Sequence, residues 1–545
     1  MTESIQILNP SGEPAREAMT SYTGAGNGYA GQLSRWNVNS KSADAAILPT
    51  FDAGNARAAD LVRNDGYAKS GVQLHIDHIV GHQFKLVYKP NYLLLGLDIS
   101  SEEVAKFTKM VEAKFTNFAE DPRCYIDAER KRTFTMLIRE GIGTHCKAGE
   151  ITAKAEYFKK RGSKYKTAIK MIDYARISNP DGAMDTKHLK AGVKSDKHGA
   201  ALGYHVRTSH PSEGGLNFLE AYTWQYIPRE LHWGRQQFIH VFEPEGEGQT
   251  RGVNNFLAAL SKLKMLEKFQ ATTLQNAITN AMYAATIESE LDSSEVFKAL
   301  GGSDSGSQML NKFMNNKAEF HEASGGIKLD GVSIPHLLPN EKLKLQGVSA
   351  PSGNLAAFEN GILRNIAKSL GVSFEQLSGN FSDTNYSSAR AAMGEAFKYF
   401  LGKREVIAKA FANAIFTLWF EEAVNLGDIV LPKSANGNFY EMKTAWTRCN
   451  WIGAGKTQID GLKGVKEAIE KISAGLSTYE KEFGNMGEDY QEMFAQQYRE
   501  TLELAKMGRK PIWLTAEKSD NSDDDDEEET PRKKMKEQPE TNTNE

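Results

Sequence analysis

From Val253 to Leu300, 48 residues pass without a Gly or a Pro. Within them Phe256, Leu260, Leu263, Leu266, Phe269, Leu274, Ile278 and Met282 recur mostly at steps of three or four, the spacing of one helix face. About 30 residues of helix would span about 45 Å, enough to cross a whole domain. Similar spacing predicts shorter helices at Ala58–Asn64, at Ala68–Val80 with a Val72, Ile76, Ile79, Val80 stripe, and at Glu102–Asn117. It predicts others from about Asn354 to Leu370, from Ser388 to Asn425, and near Asp460–Ala474, Thr478–Phe483 and Asp489–Met507. Between 150 and 243 the texture changes. Ile151–Phe158, Tyr165–Ile172, Leu202–Val206, Tyr222–Ile227 and Phe238–Phe242 are β-branched or aromatic runs separated by Gly, Pro, Asn and Ser, which predicts an α+β domain with an antiparallel sheet. Phe84–Tyr88, Tyr92–Leu97, Gly331–Pro335 and Leu343–Val348 also read as strands. Residues 1–50, rich in Gly, Ser and Asn, read as an extended, mobile arm.

Length and charge narrow the class. A chain of 545 residues exceeds one ordinary domain, and 66 Lys and Arg against 70 Asp and Glu give a net charge of −4. The acidity sits at the end: 12 acids and 5 bases follow residue 516, which leaves +3 for the rest. A generally basic, DNA-coating protein is excluded. Cys124, Cys146 and Cys449 are too few for a disulfide scaffold and point to a reducing compartment. The least charged apolar stretch, Phe411–Phe420, is half the length a membrane span needs, and the N-terminus predicts no secretory leader.

Four patterns invite chemistry and fall short. Gly453-Ala454-Gly455-Lys456-Thr457 resembles a phosphate loop, but Asn450 stands where the first glycine is needed, so a Gly-rich turn between strand and helix is expected. Gly26–Gly31 matches the dinucleotide fingerprint without a strand before it or a helix after it. His75, His78 and His82 share one helix face, yet the spacing is not His-Glu-x-x-His, and a packing or subunit-facing surface is expected rather than a metal site. His145-Cys146 has no visible base, orienting group or oxyanion hole, which favours a structural cysteine. No catalytic residue, metal ligand or cofactor site is predicted. Two classes remain: a ring or scaffold subunit, and an enzyme whose site one sequence hides. Native mass separates them.

Blocks of residues in one order favour the first. They include Gly54-Asn55-Ala56-Arg57-Ala58, Asp60–Asn64, Asp77–Gly81, Glu129–Met136, Ile239–Pro244, Ala281–Glu290, Gly371–Ser378, Tyr386–Ala391 and Gly475–Glu482. With them the chain resembles the portal proteins of tailed phages, in the lambda-like family, over nearly its whole length before the acidic tail. The resemblance implies a ring of about twelve subunits at one capsid vertex, through which double-stranded DNA enters and leaves without sequence specificity. It also implies docking of the terminase large subunit, replacement of that motor by a head-tail connector protein, contacts with capsid and scaffold proteins, assembly in the host cytoplasm, a final place in the virion, and no membrane. A ring subunit of some other assembly is the alternative.

The portal-type fold so implied is α+β, and its parts map onto a mobile arm at 1–50, a mixed α/β wing at 55–250, a first stem helix at 252–284 and a small clip at 285–352. A second stem helix at 354–372, a channel loop at 378–388 and a helical crown at 389–515 follow, and the acidic tail at 516–545, outside the resemblance, reads as disordered. The loop nearest DNA would be Asn380, Phe381, Ser382, Asp383, Thr384, Asn385 and Tyr386, which contains no Lys or Arg to grip phosphates. Ser387 and Ser388 would cap the helix after it. Phe256, Leu260, Leu263 and Phe269 would give the stem helix its packing face. Related leaders are trimmed during maturation, and the resemblance implies a cut near Thr20-Ser21.

Overall fold

The computed structural model describes residues 38–159, 162–213, 218–283, 328–329, 332–333, 355–382, 384–456 and 461–511, and the chain divides at residue 460 into two units. The first unit opens with α1 (Ala43–Ile47), α2 (Phe51–Asn64) and α3 (Gly66–Ile79). Ser42 and Asp65 cap α1 and α3, each accepting a backbone N–H three residues on. β1 (Lys85–Tyr88), α4 (Tyr92–Leu95), α5 (Glu102–Ala119) and α6 (Phe134–Ala148) follow.

The 150–243 region is antiparallel, as its alternation predicts. β2 (Glu150–Tyr157) lies between β3 (Thr167–Met171) and β8 (Phe238–Phe242), with Ala155 opposite Ile169 and Ala153 opposite Ile239. β4 (Leu189–Lys190), β5 (Val193–Ser195), β6 (Ala201–Arg207) and β7 (Trp224–Pro228) form a meander in chain order, with α7 (Phe218–Ala221) before its last strand. The meander has its own small core of Val193, Tyr204, Val206, Ile227 and Phe238.

Helix α8 (Leu260–Tyr283) comes next, then the short antiparallel pair β9 (Lys328–Leu329) and β10 (Val332–Ser333). α9 (Leu355–Leu370), α10 (Phe374–Ser378) and α11 (Tyr386–Lys403) lead through a π-helical turn, Arg404–Ala408, into α12 (Lys409–Asn425). α13 (Lys443–Trp446) and β11 (Cys449–Ile452) close the unit, and β11 pairs with β1, Tyr88 opposite Cys449. The apolar run Phe411–Phe420 is the axis of the main core. Phe411, Phe416, Trp419 and Phe420 are all buried, against Phe115, Tyr88 and Trp451. Burial of each such ring contributes about 2–3 kcal/mol. Among the described residues no helix is long and apolar enough to cross a membrane.

Several expectations change. The segment read as an arm to residue 50 is helical from Ala43; residues 1–37 lie outside the described residues. Asp44 is buried there and accepts from the Thr250 N–H and hydroxyl, both at 2.8 Å, while pairing with Lys190. Polar contacts fix this turn, and they leave no apolar period to read. Tyr92–Leu97 is not a strand but one helical turn, capped by Asn91 and ended by Gly96 at φ 65°. α6 escaped the pattern because Gly141 and Gly143 lower its helix propensity. A Cβ at Gly141 would lie 3.3 Å from the Phe411 ring, so these glycines serve close helix packing. The helix expected from 252 begins at Leu260, because Arg251, Gly252 and Asn254 before it are held by buried hydrogen bonds. No body divides off at 389 either: α11, α12 and β11 share the main core with residues of 51–250, since α12 buries Phe411, Ile415, Phe416, Leu418, Trp419 and Phe420 in it.

The second unit has α14 (Gly461–Ser473), α15 (Tyr479–Asn485) and α16 (Tyr490–Lys506). Tyr479 and Phe483 meet Phe494 edge-on at 5.3 and 6.0 Å, yet none of the three helices has a buried residue.

Candidate functional site

Two long helices carry the predicted packing face. Phe256, Leu263 and Leu266 are buried and Leu260 is partly so, which seats the first turns of α8 in the main core. Further along, α8 meets α9 antiparallel: Lys262 bonds Asn365, Phe269 lies 5.1 Å from Phe358, and Gln270 donates to Glu359 at 2.5 Å. Beyond Phe269 the stripe opens, with Leu274 63% and Ile278 43% exposed.

At the near end of α8 lies a buried ionic knot that sequence reasoning missed. Glu150 and Arg251 are 0% and 1% exposed. Arg251 donates Nε to both Glu150 oxygens at 3.0 Å, and His240 Nε2 and the Gly252 N–H reach the same carboxylate at 3.0 Å. The rest of the guanidinium donates to the carbonyls of Ile177, Ala191 and Tyr174, and its face lies 4.4 Å from the Phe51 ring centre. Burial alone would raise the Glu150 carboxyl; Arg251 and His240 overcome it and hold it well below the usual range. Gly149, at φ 81°, lets the strand carrying Glu150 run against this turn: a Cβ there would lie 2.3 Å from the Val253 backbone. The available signal was Gly149-Glu150 and Arg251-Gly252, an acid and a base each beside a glycine between elements. The knot binds strand β2 to the root of α8.

The candidate channel loop is a short connection between two capped helices. Ser373 and Gln376 form a capping box on α10, which ends at Gly379 with φ 69°. Asn380 Oδ1 accepts from the Ser382 N–H at 3.0 Å and hydroxyl at 2.7 Å. Thr384 Oγ1 donates to Glu375 at 3.5 Å, and Phe381 is half-exposed. Asn385, not Ser387 or Ser388, caps α11, because it stands one step before the helix and its side-chain Oδ1 accepts the Ser388 N–H at 2.8 Å. Tyr386 is the first residue of α11, and Asp383 lies outside the described residues, as do Thr20 and Ser21.

Gly26–Gly31 lies outside the described residues, and the other patterns are taken up by packing and hydrogen bonds. His75 and His78 pack on α11: His75 sits edge-on to Tyr399 and Phe400, and His78 stacks on Phe400 at 5.0 Å. Burial lowers the His75 pKa to about 4 and that of His145 to about 3, keeping both rings neutral. Burial raises the Cys146 thiol to about 12, the opposite of an activated nucleophile. Among the described residues no group of three His, Cys, Asp or Glu could hold a metal ion. Gly453 does follow a strand, β11, but the turn is occupied. Arg404 donates to the carbonyls of Ile79 at 2.7 Å, His78 at 2.8 Å and Ala454 at 2.6 Å. A Cβ on Gly453 would lie 2.7 Å from the Ile79 carbonyl. Thr457 lies outside the described residues.

Comparison with known proteins meets this geometry. Solved structures are only distantly similar: the neck of an empty gene transfer agent particle has a TM-score of 0.37 and 12% identity, covering 79% of this chain and 93% of that one. Sequence likeness is far stronger. The chain is 47% identical to the portal protein of Escherichia phage N15 and 46% identical to portal protein B of Escherichia phage lambda, each over 513 residues, 94% of this chain and 95% of the relative. The family model for phage portal proteins of the lambda family matches residues 29–404. This chain therefore belongs to the lambda family of phage portal proteins.

Proposed function

We propose that copies of this chain close into a ring of about twelve at one capsid vertex and serve as the conduit for packaging and ejecting double-stranded DNA. The observation that carries this is the 46–47% identity to two named portal proteins over 94% of the chain. The ring works as a structural part, without catalysis or cofactor, and the energy for packaging comes from the terminase large subunit docked on it. A head-tail connector protein later takes that place, while capsid and scaffold proteins hold the ring during assembly in the host cytoplasm. The antiparallel pairing of α8 with α9 supports a two-helix stem, with the clip between them. Residues 379–385 form the channel loop: capped helices at both ends and the lack of Lys and Arg favour a surface past which phosphates slide. The crown narrows to 461–511, beyond the shared core. Residues near Thr20-Ser21 are cut during maturation.

Native mass and two-dimensional class averages test the ring; a monomer or dimer at micromolar concentration across several salt levels defeats it. Shortening Asn380–Asn385 leaves rings intact and impairs packaging or retention of DNA. Full-length genome packaged and retained normally by that variant removes the loop from the channel. Phosphate release lost on Lys456→Ala would contradict the absence of catalysis, and Met1 or Thr2 as the sole N-terminus in mature particles would contradict the cut.

A further inference from the structure

One face of the β4–β7 meander gathers cations and aromatic rings, although residues 189–228 as a whole are near balance, with four Lys and Arg against three Asp and Glu. On β5, β6 and β7, Val193, Tyr204, Val206 and Ile227 point into the small core. The alternate positions are Lys194, Gly203, His205, Arg207, Trp224, Tyr226 and Pro228, with no acid among them.

These side chains are ordered against one another. Lys194 lies over the Tyr226 ring, 5.5 Å from its centre, and His205 stands beside the same ring at 5.2 Å. Arg207 lies 4.9 Å over Trp224 and 6.0 Å over Tyr222, with Nε donating to Ser178 at 2.9 Å and the Trp224 N–H reaching the same hydroxyl at 3.0 Å. Gly203 makes this possible: a Cβ there would lie 2.5 Å from the Tyr226 hydroxyl, so the ring lies flat across the strand. Lys194 stays exposed while it lies against the Tyr226 ring, so its charge is presented outward. Lys194 is level with Gly203, so it stands four residues, about 14 Å, from Arg207 along the sheet. Rigid cations at that separation on a flat face free of acids suit a stiff polyanion.

We infer that this sheet face is a binding surface for the phosphate backbone of duplex DNA, separate from the channel loop. The inference rests on the portal reading only for the presence of duplex beside the protein. Contacts to phosphates lack base selectivity and weaken steeply with salt.

The test uses full-length protein, assembled and checked as rings, titrated into a fluorescent random-sequence duplex of about 30 base pairs at several salt concentrations. Lys194→Ala/Arg207→Gln lowers affinity at least tenfold near 0.1 M salt. It also flattens the plot of log affinity against log salt by about two, one for each lost phosphate contact. Arg207 also braces Trp224, so Lys194→Glu, at an exposed side chain, is the second variant and weakens binding in the same direction while the melting temperature holds. Shortening Asn380–Asn385 leaves this binding unchanged. Unchanged affinity and slope in both Lys194 variants overturns the inference. So does a polyglutamate that binds with the same dependence on Lys194 while duplex does not, which would assign the face to an acidic protein segment. Wild-type rings that form but bind no duplex overturn this inference alone; failure to form rings overturns the portal reading instead.

Discussion

The two ends of helix α8 carry the same apolar spacing and meet opposite surroundings. Leu263 is 0% exposed, in the main core, whereas Leu274, eleven residues on and on the same stripe, is 63% exposed. A period of 3.6 states that a helix has an apolar face; it does not state what covers it. The near end is also tied by Arg251 and Glu150, while further along Phe269 packs against Phe358 of α9.

The sharpest way to break this contrast is at the tie. Arg251→Ala leaves Glu150 buried with only His240 and the Gly252 N–H beside it, and unfolding in denaturant shows a loss of about 3–5 kcal/mol. A loss below about 1 kcal/mol would mean that the knot does not anchor the helix. Next come matched truncations on the stripe. Leu263→Ala costs about 2–5 kcal/mol in the same assay, and Leu263→Asp abolishes assembly, because it buries an unpaired charge. Leu274→Ala changes subunit stability by less than about 0.5 kcal/mol and lowers ring yield, read by mass photometry. Equal effects on stability at 263 and 274 would erase the distinction.

Acid supplies a graded probe of the same core. His75 is neutral in the fold, with a pKa of about 4 against 6.5 when unfolded, so the unfolded chain binds more protons between those values. Stability therefore falls as pH drops from 6.5 towards 4, by a few kcal/mol at most from this residue. Asp428, held down to about 2, acts later. Burial opposes its charge, but bonds from Lys164, Tyr165 and Lys114 outweigh this, and its contribution is lost as pH falls below 3.8. His75→Gln flattens the upper window and leaves the lower one; an unchanged upper window would assign that slope to His145.

Regular elements were legible wherever one chemistry dominated. β8 has the expected bounds, and the helices at 102–119 and 355–370 follow from their stripes alone. What stayed hidden depended on partners far along the chain. α6 is built around glycines whose value lies in what touches them, Phe411 and Ile76. β1 pairs with β11 across more than 350 residues, so no local pattern could announce that 386–452 shares a core with the N-terminal half of the chain. The loop at 379–385 was legible because its turn residues act on one another, although the cap came from Asn385 rather than a serine. The Glu150–Arg251 pair is 101 residues apart, and a lone charge beside a glycine resembles any surface position until the fold is known. The cations of the meander face were equally invisible, because which side of each strand faces out depends on the core beneath.

The π-helical turn at Arg404–Ala408 sets the phase between the two helices it joins. An α-helix turns about 100° and climbs 1.5 Å for every residue, so one surplus residue, taken up in a wide turn, decouples the faces on either side. α12 is held in the core by Phe411, Phe416, Trp419 and Phe420. α11 must still present Tyr399 and Phe400 to the histidines of α3. Removing Val406, an exposed member of the turn, would restore an unbroken α-helix. It would also rotate α11 by about a quarter turn, carrying those rings off His75 and His78 and the start of α11 away from its present bearing. The wide turn thus works as a mechanical clutch, and the orientation of the 379–385 loop depends on a residue count set about twenty positions away.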